Sequence, residues 1–206
     1  MQKRIKEIFN AEARAIESIP VTDIFEEVIE IMYQQVHVKR GKVITSGMGK
    51  AGEIANNIAT TFSSTGTPSV FLHPSDAQHG DLGIIREHDV LFLISNSGKT
   101  REIIELVNLS KRLVPDITLI VVTGNPGSPL AGVTNLVLLT GNPDEVCPLG
   151  LTPTTSTTVM TVLGDALVVC LMEKIGFTAH DYALRHHGGY LGDKSRLASG
   201  DPRNEN

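Results

Sequence analysis

The chain has 206 residues, enough for one large domain or two small ones around a real hydrophobic core, and 41% of them are apolar. A net charge of −5, no tryptophan, few aromatic side chains and no long basic run argue against nucleic acid as the main partner. The two cysteines, Cys147 and Cys170, form no CxxC pair and are too few for a disulfide scaffold, which fits a reducing cytoplasm.

The N-terminal stretch MQKRIKEIFNAEARAIESI carries charges throughout and is not read as a signal peptide. Ile5, Phe9, Ala13 and Ile16 recur at helical spacing, and so do Ile24, Val28, Ile31 and Met32. They predict two opening helices broken near Pro20, with Thr22 or Asp23 as the second N-cap. KVITS (residues 42–46) predicts a strand that runs into a helix whose face is Ala51, Ile54, Ala55, Ile58 and Phe62. SVFLH predicts a second strand, and DVLFLIS (residues 89–95) a third, apolar on both faces as a central parallel strand is. A helix over residues 102–113, a strand at ITLIVVTG, a helical turn near residues 128–131 and a strand at NLVLLTG follow. A long helix is expected over residues 153–175, with Pro153 in its first turn. The segment 159–172 is nearly uncharged, but Gly164 and Asp165 interrupt it and it is short for a membrane span, so it reads as a buried helix. One more short helix is expected after Thr178, then a polar tail over 193–206 that frays.

Strand and helix alternate, which predicts an α/β fold: a three-layer sandwich with a five-stranded parallel sheet between helices. No second core, internal repeat or long linker is visible, so residues 1–206 read as one domain, with helices over 1–39 before a core over 40–192. Ligands of such sheets bind at the carboxyl ends of the strands. Two strand-to-helix turns stand there, TSGMGK (residues 45–50) and SNSGKT (residues 95–100). Unpaired N–H groups at a helix start, close backbone approach at glycine and hydroxyl donors together suit a phosphate. Ser95, Ser97, Gly98 and Thr100 thus read as a phosphate cradle of neutral hydroxyls, although Thr100 alone reads equally as a helix cap. GMGK is neither a dinucleotide fingerprint nor a Walker A loop. Six hydroxyls between Thr152 and Thr158 open the long helix, where Thr155, Ser156 and Thr157 either contact a ligand or face a subunit interface. His79, Glu102, Glu145, His186 and His187 lie beside strand ends or glycine turns. There a histidine, or a carboxylate raised by burial, can remove a proton next to a carbonyl. No H-x-x-x-H or H-E-x-x-H spacing marks a metal site.

The segments GMGK, TGTPSVFLHPSDAQHGDLG, ISNSGKTREI, CPLGLTPTTSTT, GDAL and GFTAHDYALRHHGGYLG together resemble the sugar isomerase (SIS) domain family, in its arabinose-5-phosphate isomerase branch. The resemblance spans about residues 40–192 and implies a flavodoxin- or Rossmann-like fold. It implies interconversion of D-arabinose 5-phosphate and D-ribulose 5-phosphate through an enediol, at the entry to 3-deoxy-D-manno-octulosonate (Kdo) and lipopolysaccharide synthesis. It carries catalytic roles onto Lys50, His79, Glu102, Glu145 and His186. Phosphate and substrate contacts fall on Ser46, Gly49, Asn96 and the turn Ser95–Thr100. It implies no cofactor and no required metal, though His79, His186 and a carboxylate could trap zinc. It also implies a cytoplasmic homotetramer whose sites neighbouring subunits complete. His187 stands where many relatives have proline, and Ala51 where many have serine. Many relatives also carry a C-terminal pair of regulatory modules; this chain is expected to be the single-domain form, with feedback by an activated Kdo sugar at the active site. The rival readings are isomerisation of another phosphosugar and a non-catalytic phosphosugar sensor.

Overall fold

A computed structural model of the chain describes residues 1–199. Five parallel strands form one sheet: β1 (Val43–Gly47), β2 (Ser69–Phe71), β3 (Val90–Ile94), β4 (Thr118–Thr123) and β5 (Val137–Leu139). Their order across the sheet is β2-β1-β3-β4-β5. All five agree with the predicted strands to within a residue or two at their ends. The order reverses between β1 and β3, and the crevice beyond the carboxyl ends there is where such sheets bind ligands.

Strand pleating sends alternate side chains to opposite layers. Val43, Val90, Phe92, Ile94, Ile120, Val122 and Leu138 join one core with α2 (Ile24–Met32), α3 (Lys50–Ser64) and α6 (Thr155–Lys174). Ile44, Leu91, Leu93, Leu119 and Val121 join the other, under α4 (Pro74–Ala77) and α5 (Arg101–Leu113). The sandwich is thus three-layered, as predicted.

The apolar run 159–172 is an inner-layer helix. Val159, Met160, Leu163, Leu167, Val168 and Leu171 of α6 are buried, most of them in the first core. A Cβ at Gly164 would lie 2.4 Å from the Ile58 side chain, so this glycine is the hole into which α3 fits. Glycine inside a helix costs about 1 kcal/mol relative to alanine. Burying Ile58, only 2% exposed, contributes about 1.5–3 kcal/mol and outweighs it.

The structure differs from the prediction in short elements. Helix α2 runs on into a π-turn over Tyr33–Val38; α4 and a 3₁₀ turn over Asp81–Ile84 lie in what read as loop. Pro153 precedes α6 by two residues, and Thr154 is the N-cap. After α7 (Ala179–Ala183), Gly189–Ser199 form α8, so residues 193–199 of the expected frayed tail are helical. Helix α8 packs against α7, which supplies the contacts its own polar sequence does not announce. Residues 200–206 of that tail lie outside the described residues. At the N-terminus, α1 (Gln2–Glu17) lies on α6, and Thr158 Oγ1 donates to Glu12 at 2.8 Å. Its predicted apolar stripe is not buried within the chain; Phe9 is 68% exposed.

Candidate active site

A cavity of about 820 Å³ opens at the carboxyl ends of β1, β3, β4 and β5 and the start of α6. Its walls come from Lys50 of α3, the Ser95–Thr100 turn, the turns after β4 and β5, and Pro153, Ser156, Thr157 and Met160.

The Ser95–Thr100 turn is built as a cradle. Ser95 is buried, and its hydroxyl pairs with that of Thr100 at 2.8 Å. Thr100 sits at the N-cap of α5 but makes no side-chain cap bond, so the capping alternative does not hold. Among the described residues the first-turn amides of α5 thus meet no capping side chain, and they suit an anion. Ser97 is exposed, and its Oγ accepts the Lys99 amide at 3.2 Å. Gly98 has φ of 62°, and a Cβ there would strike Ser128 Oγ at 2.0 Å, so only glycine closes the turn. The cradle is not wholly neutral: the exposed Lys99 and Lys50 both line the cavity.

Glu145 lines the cavity as an ionised carboxylate. Its Oε2 accepts from Thr154 N at 2.7 Å, Thr154 Oγ1 at 3.0 Å and Ser156 N at 3.3 Å, and its Oε1 accepts from Ser156 Oγ. Burial pushes its pKa up, but these bonds from Ser156 and Thr154 outweigh burial and hold it below the ordinary glutamate value. A carboxylate raised by burial was the expectation. The α6 start removes that possibility, because its donors stabilise the charged form. Nearby, the Cys147 thiol is lowered to about 7, chiefly by the Thr152 amide, with the Leu151 amide also donating to Sγ at 3.2 Å.

The remaining expected residues divide. Asn96, Ser156 and Thr157 reach the cavity. Ser46 does not: it is fully buried and donates to Leu72 O at 2.6 Å, because the pleat turns it into the sheet. Thr155 is buried beneath the site and accepts the Val146 amide at 3.2 Å. Gly49 is the exposed N-cap of α3, with φ of 58°, outside the lining. His79, exposed after α4, Glu102, in the first turn of α5, and His186, beyond α7, are also outside it. One chain therefore brings Lys50 and Glu145 to the cavity but not the two histidines or Glu102. Among the described residues no three His, Cys, Asp or Glu side chains gather as a metal site, so the zinc trap expected from His79 and His186 does not form within one chain.

His186 is nonetheless held in a fixed orientation by Tyr182. Its Nδ1 lies 3.0 Å from the Tyr182 carbonyl, and its ring stacks on Tyr182 at 3.7 Å. A carbonyl only accepts, so Nδ1 carries a proton, and in the neutral ring Nε2 is then the basic nitrogen.

Sequence reasoning missed Lys99, Gly124, Asn125 and Asn142. A signal was present: TGNP occurs twice, at 123–126 and 140–143, each at the end of a strand.

A model of the SIS domain matches residues 37–170. The arabinose 5-phosphate isomerase KdsD of Pseudomonas aeruginosa is 52% identical over 158 residues, 77% of this chain and 48% of that protein. KdsD of Escherichia coli K12 is 50% identical over 162 residues, 79% and 49%. The chain spans about half the length of these curated relatives. Among solved structures, a candidate phosphosugar isomerase involved in capsule formation from Bacteroides fragilis superposes with a TM-score of 0.91 at 62% identity, covering 92% of this chain and 99% of that one. The E. coli CFT073 protein c3406, in complex with arabinose 5-phosphate, superposes at 0.82 with 39% identity, covering 88% and 95%. A serine-rich turn at the switch point of a parallel sheet, the matched residues 37–170 and these relatives lead to one conclusion: the chain belongs to the SIS domain family.

Proposed function

We propose that the chain interconverts D-arabinose 5-phosphate and D-ribulose 5-phosphate by aldose–ketose isomerisation. The observation that carries this is the Ser95–Thr100 cradle at the uncapped start of α5, opening into a cavity with Lys50 and Lys99 on its wall. The names of the KdsD relatives and the arabinose 5-phosphate complex of a similar protein support the substrate.

The phosphate of the open-chain sugar sits on Ser95, Ser97, Thr100 and the α5 amides. His186 Nε2 takes the C2 proton, and the C–H electron pair forms the C1–C2 double bond of a cis-enediolate. Lys50 holds the charge that develops on oxygen. The C1 oxygen gains a proton, the C2 hydroxyl loses one, and C1 is protonated to give the ketose, with His79 or Glu102 moving the oxygen-bound protons. Ionised Glu145, on the cavity wall, also serves in these proton transfers.

His186, His79 and Glu102 reach this cavity from neighbouring copies in a homotetramer. Exposed Leu184, Tyr190, Leu191 and Leu197 on the C-terminal helices, together with the apolar stripe of α1, support such packing. The same reading assigns residues 40–192 as one isomerase unit, a cytoplasmic place at the entry to Kdo and lipopolysaccharide synthesis, and inhibition by a cytidine-monophosphate-activated Kdo sugar in the same cavity.

Proton NMR in deuterated water with D-arabinose 5-phosphate tests the reaction. Ribulose 5-phosphate carrying deuterium at C1 is the expected product. Saturable binding without turnover over hours would overturn the isomerase reading.

A further inference from the structure

The two TGNP turns grip one residue, Asn96, from both sides. After β4, Thr123 Oγ1 donates to the Asn96 backbone carbonyl at 3.1 Å and accepts the Asn125 amide at 3.2 Å. After β5, Thr140 Oγ1 donates to Asn96 Oδ1 at 3.4 Å and accepts the Asn142 amide at 3.4 Å. The equivalent threonine of each repeat thus holds one of the two carbonyl oxygens of Asn96.

Thr140 is fully buried and does not line the cavity. A hydroxyl so placed has one proton to donate, and among the described residues the acceptor within its reach is Asn96 Oδ1. Because it already accepts the Asn142 amide, its proton goes to Asn96 Oδ1. That choice settles which end of the Asn96 amide faces outward. Asn96 lines the cavity, and among the described residues its Nδ2 makes no hydrogen bond within the chain and is not a buried unpaired atom. Space for the arrangement comes from Gly124, where a Cβ would lie 2.8 Å from Asn96 Oδ1 and 2.9 Å from Asn142 Oδ1.

We infer that Asn96 Nδ2 donates a hydrogen bond to an acceptor oxygen of the bound phosphosugar, and that Thr140 is the positioning residue that aims it. This rests on the isomerase reading for its assay but on separate residues for its chemistry. Without that hydroxyl the amide loses the donor that holds Oδ1 inward and can turn Oδ1 toward the anionic or carbonyl oxygen, where two acceptors repel and the donated bond is lost, so a buried hydroxyl that holds it one way favours the productive complex.

Steady-state kinetics of the full chain test it. Thr140→Val removes the hydroxyl at nearly constant volume and is expected to lower kcat/KM about tenfold, the weight of one well-made hydrogen bond. Thr140→Ser restores the hydroxyl and is expected to retain most of the activity. In an Asn96→Ala background, Thr140→Val is expected to cost nothing more. A Thr140→Val enzyme within twofold of the parent would overturn the inference. So would equal damage from Thr140→Ser, or a full loss persisting in the Asn96→Ala background. Asn96→Asp gives an independent check if Thr140→Val does not fold. It keeps the acceptor toward Thr140 but exchanges the outward donor for an acceptor, so about tenfold or more is expected to be lost, and parental activity would refute the donor. Two supporting outcomes identify the oxygen. Weaker inhibition by inorganic phosphate together with a raised KM marks a phosphate oxygen, whereas a lower kcat with unchanged phosphate inhibition marks one at the reacting end. A parent enzyme that turns over no phosphosugar would count against the isomerase reading alone. The same variants would then be compared by the thermal shift that arabinose 5-phosphate induces, and equal shifts in Thr140→Val and the parent would overturn the inference.

Discussion

Replacing Glu145 by alanine removes the carboxylate that organises the start of α6. It leaves the Thr154 and Ser156 amides and the Ser156 hydroxyl without their acceptor, while the Thr154 hydroxyl keeps the Thr152 carbonyl at 3.3 Å. Loss of an N-terminal cap costs about 1 kcal/mol. Bonds to a charged acceptor are stronger, but Glu145 is only half-buried and water replaces part of what is lost. The sum is about 2 kcal/mol, or a fall in Tm of about 4–8 °C for a chain of this size. The pKa of Glu145 is depressed in the folded state. Its contribution is therefore fully present above the ordinary value of about 4.5 and is lost as pH falls through the lower folded value. Thermal melts of the parent and Glu145→Ala at neutral pH and in acid should show a gap that narrows below about pH 4.5. A variant that melts within a degree of the parent at neutral pH, or a gap that widens in acid, would refute the capping argument.

Three further outcomes are expected. His186→Ala should lower kcat by about 10²–10⁴-fold and leave the melting curve in place, so parental turnover would remove His186 as the C–H base. Asp89, 2% exposed, accepts the Lys42 ammonium at 2.6 Å, the Lys42 amide at 2.9 Å and the Arg86 amide at 2.7 Å. Asp89→Ala breaks this network at the far end of the sheet and should cost about 3–5 kcal/mol, read by urea titration, with KM unchanged in whatever folds. Cys147 should be alkylated faster than Cys170 below pH 8, with a rate that rises to its midpoint near pH 7, which a stopped-flow thiol assay resolves.

Much of this fold is legible in the residues. The five strands announce themselves because each is a short apolar run closed by glycine or a polar side chain, and α3, α5 and α6 because their apolar residues recur over several turns. One-turn elements such as Pro74–Ala77 are too short to show a period, and the π-turn at Tyr33–Val38 has no pattern to distinguish it from its helix. Helix α8 escaped because Gly189, Gly192 and a polar face weaken its signal, while its stability comes from α7 beside it.

The site divides along the same line. That Ser95–Thr100 is a ligand-facing turn is an expectation the sequence carries by itself, because hydroxyls and glycine at a strand-to-helix junction suit a phosphate, and the structure places the turn at the cavity. The sequence carries the parallel sheet and its switch point in the same way, since alternation of strand and helix leaves few other topologies. Which of those hydroxyls face the ligand was decided only by packing. Ser46 and Ser95 both end a strand, yet one donates into the sheet and the other joins the cradle. Glu145 reads in sequence as a carboxylate that burial would raise, and the nearby amides of Thr154 and Ser156 hold its pKa below the ordinary value instead. Asn96 reads as one residue of a turn, and two buried threonines from strands far along the chain hold both of its carbonyls. Local composition determines what a segment is able to bind. The direction of each polar atom depends on the donors and acceptors that distant segments place around it, and those exist only once the chain has folded.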